Sequence, residues 1–275
     1  MITKTEFVEQ LQQVGLCAGD HVLVHSSLRK VGPIDGGADA LLDALLEVVG
    51  RDGTVAVPSF HGTRPCPQPC FDESKTPGKT GILGERLRSR PEALRSIHPS
   101  HSLVATGPRA AEFLDDHLRV EAVGIGSPFD RLAKAGGLVL LIGLTHQLNT
   151  TIHCGEAYAG TKKFFWNDGP LPIANVRRPD GFVVEHQLDC SASCSLAFNA
   201  VDLPLRFREL LQDFRLGNAA ACLMKGQDVI DATVSLLNQS RCVLFCTRMD
   251  CRPCTRGREH VRKCGEMSES EDTHA

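Results

Sequence analysis

The sequence predicts an α/β fold: a central, mostly parallel sheet flanked by helices, with an irregular inserted region. Three observations point to it. Short apolar runs alternate with stretches of helical periodicity, the pattern of βαβ units. The links between them are mostly short. Residues 161–195 then lose the alternation, which marks an insertion. With 42% apolar and 23% charged residues, the 275-residue chain can bury a large core.

Taken in order, Thr3 and Glu6 have the spacing of a capping box and open a first helix through about residue 14. HVLVH (21–25) is a short apolar strand. ADALLDALLEVVG follows, with Leu41, Leu42, Leu45, Leu46 and Val49 at helical spacing and Gly50 as its stop. TVAVP (54–58) is a second buried strand. Residues 61–80 are rich in Pro, Gly, Thr and Cys and read as a long loop, and a short helix follows near 81–90. LVATG reads as a strand, and PRAAEFLDDH as a helix with Pro108 near its start. SPFDRLAKAGG reads as a helix capped by Ser127, and LVLLIG (138–143) is the clearest buried strand. TTIHCGEAYAG (150–160) opens a helix just beyond it, with Thr150 or Thr151 as cap. GFVVEHQLDC reads as an edge or hairpin strand; 204–213 and 227–238 read as helical, with a turn at Gly217 and Asn218.

Composition excludes several classes of function. A net charge of −3, a pI near 6.4, one Trp and one Tyr give no footprint for nucleic acid or an anionic membrane. The polar N-terminus lacks a secretory h-region and no apolar run spans a bilayer, so a cytoplasmic location is expected. No G-x-S-x-G elbow, G-x-G-x-x-G turn or H-E-x-x-H helix occurs, and GKT at 78–80 lacks the P-loop's first glycine because residue 73 is Glu.

Four constellations carry chemistry. HSSLRKVG comprises His25, Ser26, Ser27, Leu28, Arg29, Lys30, Val31 and Gly32, a strand end emptying into a hydroxyl-rich, basic turn. Such a turn holds carbonyls or phosphates, or is an ordinary polar βα loop. In SIHPSHS (96–102), His98, His101 and Ser102 are polar groups on a stiff loop, suited to a ligand or to local backbone bonding. In NTTIHCGE, His153 and Glu156 stand three apart, so they share a helix face. A carboxylate beside an imidazole fixes its tautomer, the support a general base needs, although a structural histidine in a first helical turn would also fit. Cys154, next in sequence, points away from that face and reads as a packing residue. Finally, Cys251, Cys254, His260 and Cys264 in the tail have the residue types of a zinc site, but a thiol-bearing extension without metal is the expectation.

In order, HSSLRKVG, GGADALLDALLEVVGRDGTVAVPSF, SIHPSHSLVATGPRA, GSPFDRLAKAGGLVLLIG and NTTIHCGEAYAG resemble the aminoglycoside 3-N-acetyltransferase family, and GNAAACLMKGQDVIDATVSLL, read as a helical segment near 217–238, looks like that family's ending. The resemblance implies a fold unrelated to the GCN5-like acetyltransferases. It implies acetyl-CoA as donor and the 3-amine of a 2-deoxystreptamine ring as acceptor, with antibiotic resistance as the outcome. No metal is expected. The resemblance also implies His153 as the catalytic histidine and Glu156 as its acidic companion. The HSSL turn and the HPSHS loop match the part of the family that holds CoA. On this view residues 1–240 form the acetyltransferase domain, and 241–275 form a Cys/Arg-rich extension, unlike the family and expected to be poorly ordered. Cys154 stands where a larger apolar residue is usual.

The mechanism that follows is a ternary complex in which His153 takes a proton from the acceptor amine. Amides or hydroxyls of the turn at Ser26 and Ser27, or Ser102, are the candidate donors to the thioester oxygen. Asp168 and Asp189 are candidates to bind other ammonium groups of the acceptor, and a homodimer is compatible with the chain. The rival readings are acetylation of another amine-bearing small molecule, and a non-catalytic thiol- or zinc-binding protein on an inactivated scaffold.

Overall fold

The computed structural model describes residues 1–62, 71–162, 171–188 and 194–264. The capping box is present: Glu6 accepts the Thr3 amide at 2.8 Å while its own amide donates to Thr3 Oγ1, opening α1 (Lys4–Gln13). Then come β1 (His21–Ser26), α2 (Leu28–Val31), α3 (Gly37–Val49), β2 (Thr54–Pro58), β3 (Phe71–Asp72), α4 (Ile82–Arg88), β4 (Leu94–Arg95), β5 (Leu103–Thr106) and α5 (Ala110–Leu114). The chain continues through α6 (Pro128–Lys134), β6 (Leu138–Ile142), α7 (Ile152–Tyr158), β7 (Ile173–Arg177), β8 (Val183–Gln187) and α8 (Asp202–Phe207). It ends in β9 (Leu211–Leu216), β10 (Ala219–Lys225), α9 (Gly226–Gln239) and α10 (Arg252–Lys263).

Seven strands form the main sheet in the order β4-β5-β2-β1-β6-β10-β9. The α/β class with flanking helices holds, but the mostly parallel character of the sheet is corrected. β1 runs parallel to both β2 and β6, and every other pairing in this sheet is antiparallel. The reason lies in the connections. The α3 crossover keeps β2 parallel to β1, whereas β4 and β5 are joined by the short segment 96–102, which reverses the chain. The turn at 217–218 does the same for β9 and β10, with Gly217 at φ 59°, the left-handed region that a two-residue hairpin turn requires at its first position. The helical expectations hold only in part: α8 stops at Phe207 and LQDFRL is sheet, while AAACLMK is its partner strand and 227–238 is helical as α9.

Strand alternation feeds two cores. Val22, Val24, Val55, Val57, Leu140 and Ile142 face one side and meet α1, α3 and α4 through Phe7, Leu11, Leu41, Leu45 and Leu87. Leu23, Ala56, Val139, Leu141, Cys222 and Met224 face the other and meet the later helices through Phe113, Phe129, Ile152 and Ile230. A sheet covered on both faces explains why its central strands read as continuous apolar runs. The inserted region contributes to a separate three-stranded sheet, β3-β7-β8, with β8 at its edge as expected for GFVVEHQLDC.

The tail differs from the poorly ordered extension expected of it. Its residues through Cys264 include the twelve-residue helix α10, and Cys254 and Val261 are buried in a small cluster with Phe245 and Cys194. No helix among the described residues is long and apolar enough to cross a membrane.

Candidate active site

β1 and β2 run side by side, and β6 leads into Leu144 and the 3-10 turn His146–Leu148. Ligands in open α/β sheets gather at the carboxyl ends of such strands. A cleft of about 420 Å³ opens there. It is lined by His25, Ser26 and Ser27 from the end of β1, by Phe60 after β2, and by His153, Ser195 and Phe198.

His153 sits in the first turn of α7, whose start is fixed by Asn149 rather than by either threonine. The Asn149 carboxamide oxygen accepts the Thr151 amide at 3.2 Å, while the Thr151 side chain makes no capping bond. Two further contacts lock the helix. Tyr158 donates to the fully buried Asp130 of α6 at 2.9 Å. Gly155 lies so close to α9 that a Cβ there would fall 2.4 Å from Thr233 Cβ.

The i,i+3 geometry gives what the sequence implied. His153 Nδ1 lies 2.6 Å from Glu156 Oε2. Glu156 is only 2% exposed, so its carboxylate is held rather than solvated, while the His153 side chain keeps 14% exposure on the cleft. A carboxylate can only accept, so Nδ1 is the donating ring nitrogen of this pair and Nε2 is the one not engaged by Glu156. The Phe198 ring packs edge-on to the imidazole at 4.9 Å. Cys154 is fully buried, and burial pushes its thiol up to about 12, in keeping with a packing role and not a nucleophilic one.

The remaining residues singled out in the sequence divide. His25, Ser26 and Ser27 line the cleft with His153. Burial pushes His25 down to about 4, so it is neutral at physiological pH, and its Nε2 has no hydrogen-bond partner among the described residues. The Ser27 amide is committed to Ile142 O at 2.9 Å, which removes it as an oxyanion donor, while the Ser27 side chain makes no capping bond to α2. Arg29 and Lys30 are exposed on α2. Leu28 and Val31 pack on the core, and Gly32 lies against Asn218, so the structure places these three in the scaffold rather than on the cleft.

The HPSHS loop is largely an interior structure. His98 is fully buried and its Nδ1 accepts the amide of His101 at 3.1 Å; its ring lies 4.6 Å from His117 and 5.3 Å from His186. Ser102 is fully buried and donates to Ser59 O at 2.6 Å while accepting from Arg95, so its proton is not available to a ligand. His101 packs behind Phe60, with the two rings 4.7 Å apart. Burial first, and then the neighbouring His153, push it down to about 3. Asp168 and Asp189 lie outside the described residues. Sequence reasoning missed Asn149, Phe60, Ser195 and Phe198. Asn149 was within reach, since an Asn side chain readily bonds the backbone two residues on, where a helix is about to start; the others converge only through the fold.

Comparison with known proteins decides the family. Residues 23–238 match the family described as aminoglycoside 3-N-acetyltransferase. The chain belongs to the aminoglycoside 3-N-acetyltransferase family. It is 29% identical over 257 residues to aminoglycoside N(3)-acetyltransferase IV of Salmonella sp, covering 90% of this chain and 95% of that protein. It is 31% identical to aminoglycoside N(3)-acetyltransferase III of Serratia marcescens, covering 87% and 98%. Among solved structures, the AAC(3)-IVa apoenzyme superposes with a TM-score of 0.82 at 28% identity, covering 94% of this chain and 96% of that one. A histidine-to-alanine mutant of AAC(3)-IVa in complex with a gentamicin gives 0.81 at 27% identity, covering the same shares. AAC-IIIb, solved with CoASH, gives 0.71 at 25% identity, covering 86% and 97%. The chain is thus an acyltransferase of the aminoglycoside 3-N-acetyltransferase class, on a fold distinct from the GCN5-like one.

Proposed function

We propose that this protein transfers the acetyl group of acetyl-CoA to the 3-amine of the 2-deoxystreptamine ring of an aminoglycoside, with His153 as general base. One observation carries the reading: a buried carboxylate fixes His153 at 2.6 Å with its ring on a cleft at the strand ends. The gentamicin and CoASH complexes of related enzymes support the substrate classes.

The acceptor amine is an ammonium in water and must lose a proton before it can attack. Nε2 of His153 takes that proton, and Glu156 stabilises the imidazolium so formed. The amine lone pair then adds to the thioester carbon and charge collects on the carbonyl oxygen. Collapse breaks the C–S bond, the His153 imidazolium gives its proton to the departing sulfur so that CoA leaves as a thiol, and the amide nitrogen loses its extra proton through the same ring to solvent. The Ser26 and Ser27 hydroxyls and the neutral His25 ring are the donors this chain offers to that oxygen or to the bound substrates. A neutral ring is the better choice at His25, since a cation there would repel the acceptor.

The test is a panel of aminoglycosides incubated with acetyl-CoA, reading free-thiol release. Turnover of at least one 2-deoxystreptamine drug is expected, with the 3-N-acetyl product identified by mass spectrometry and NMR. Thiol release with other amines alone would move the acceptor to a different small molecule.

A further inference from the structure

The tail folds back so that its Cys246, Cys251 and Cys254 meet Cys194, which lies far away in sequence. Cys194, Cys246, Cys251 and Cys254 offer sulfurs that all lie within 4.8 Å of one another, and three of the four residues are buried. This is not the set the tail suggested on its own: Cys194 and Cys246 replace His260 and Cys264, and Cys264 is exposed. We propose that Cys194, Cys246, Cys251 and Cys254 bind one structural Zn²⁺ ion.

The geometry fits that ion. Zinc–thiolate bonds of about 2.3 Å in a tetrahedron place the sulfurs roughly 3.8 Å apart, inside the spacing found here. All four residues are free cysteines rather than disulfide partners. Cys251 stands at the N-terminus of α10 and Cys254 in its first turn, so the C-x-x-C spacing turns both sulfurs to one point. Backbone donors surround the sulfurs as they do around metal-bound thiolates. The Cys246 amide points at Cys254 Sγ at 3.3 Å, and the amides of Leu196 and Cys254 serve Cys194 and Cys251. Arg258 fastens the loop by donating to Cys246 O at 3.0 Å, and Gly257 lets α10 sit against the Phe245 ring.

Charge agrees. Four thiolates around Zn²⁺ leave a net negative charge, and Arg248 lies within the field of Cys246 and Cys251. Binding would release the thiol protons to solvent and move no electrons. Four protein ligands leave no open position, so the ion holds structure and has no part in acetyl transfer. What it holds is specific: Cys194 directly precedes Ser195, and Ser195 and Phe198 line the cleft. The ion would therefore tie the C-terminal extension to one wall of that cleft.

The experiment is elemental analysis of the full-length protein purified without added metal or chelator, with thiol counting on the same sample. About one zinc per chain is expected, lost from Cys251→Ser and Cys254→Ser but kept in Cys17→Ser and Cys264→Ser. Should the two core variants fail to fold, the wild-type protein still decides the matter. Zinc removal under reducing conditions followed by Co²⁺ should give the thiolate-to-metal charge-transfer and strong visible bands of a tetrahedral four-sulfur site. Iron in place of zinc, two disulfides among these cysteines, or a metal-free protein that takes up neither ion would overturn the proposal. None of these readouts depends on acetyl transfer.

Discussion

In the proposed mechanism a single imidazole, that of His153, depends on the residue three positions on. Because Glu156 is buried and bonded to Nδ1, the tautomer is set before substrate arrives. His153→Ala should lower kcat roughly 10²- to 10⁴-fold while acetyl-CoA still binds, as measured by calorimetry beside steady-state kinetics. Near-normal turnover in the folded variant would remove this histidine from the chemistry. Glu156→Gln should cause a smaller loss, in kcat rather than in KM, because an amide can orient the ring without stabilising its cation. This pair is legible in the sequence since i,i+3 spacing on one helix is local information. Ser102 is not: a serine in a polar loop looks like a ligand contact until its partner, Ser59 O, comes in from beyond another strand.

At the scale of elements, α7 carries His153, the base proposed above, and its position depends on α9. Gly155→Ala would push a methyl group against Thr233, whose side chain is itself bonded to Val229 O at 2.7 Å and cannot easily yield. The expected cost is about 1–3 kcal/mol in stability, and kcat should fall with it because α7 must shift to make room. Denaturant midpoint and kcat, measured in the same variant beside the wild-type chain, check both effects. An unchanged midpoint together with an unchanged kcat would show that α7 tolerates the added methyl group. Most elements are legible because their periodicity is strong: β1, β2, β5 and β6 as apolar runs, α1 from its capping box, and α3 from its leucines. The misread elements, β9 and β10, are charged or alanine-rich, and only their pairing across the Gly217 turn makes them strands.

For the molecule as a whole, the buried histidines set the response to acid. His25 and His117 are pushed down to about 4 and His101 to about 3, in each case chiefly by burial, and His98 is lowered in the same way. Each binds its proton more readily when the chain unfolds. Their contribution is therefore intact above the ordinary histidine value near 6.5 and is lost as pH falls from there toward about 4. One such ring amounts to ~3 kcal/mol across that window. Urea midpoints should fall steeply across it, and less steeply in His117→Asn; a flat profile would contradict the buried neutral state. This network is invisible in the sequence because His98, His117 and His186 come together from three separate segments. The four-cysteine cluster is hidden for the same reason, with Cys194 supplied from far outside the tail.

The central place of β1, with parallel neighbours on both sides, has a kinetic consequence. Its amides should be the last to exchange with deuterium, because freeing them demands global opening rather than local fraying. His25 and Ser26 end that strand, so part of the cleft inherits the slowest breathing in the molecule. Under the proposed function, adaptation to differently shaped acceptors is then expected in cleft-lining segments outside the sheet, such as that carrying Ser195 and Phe198.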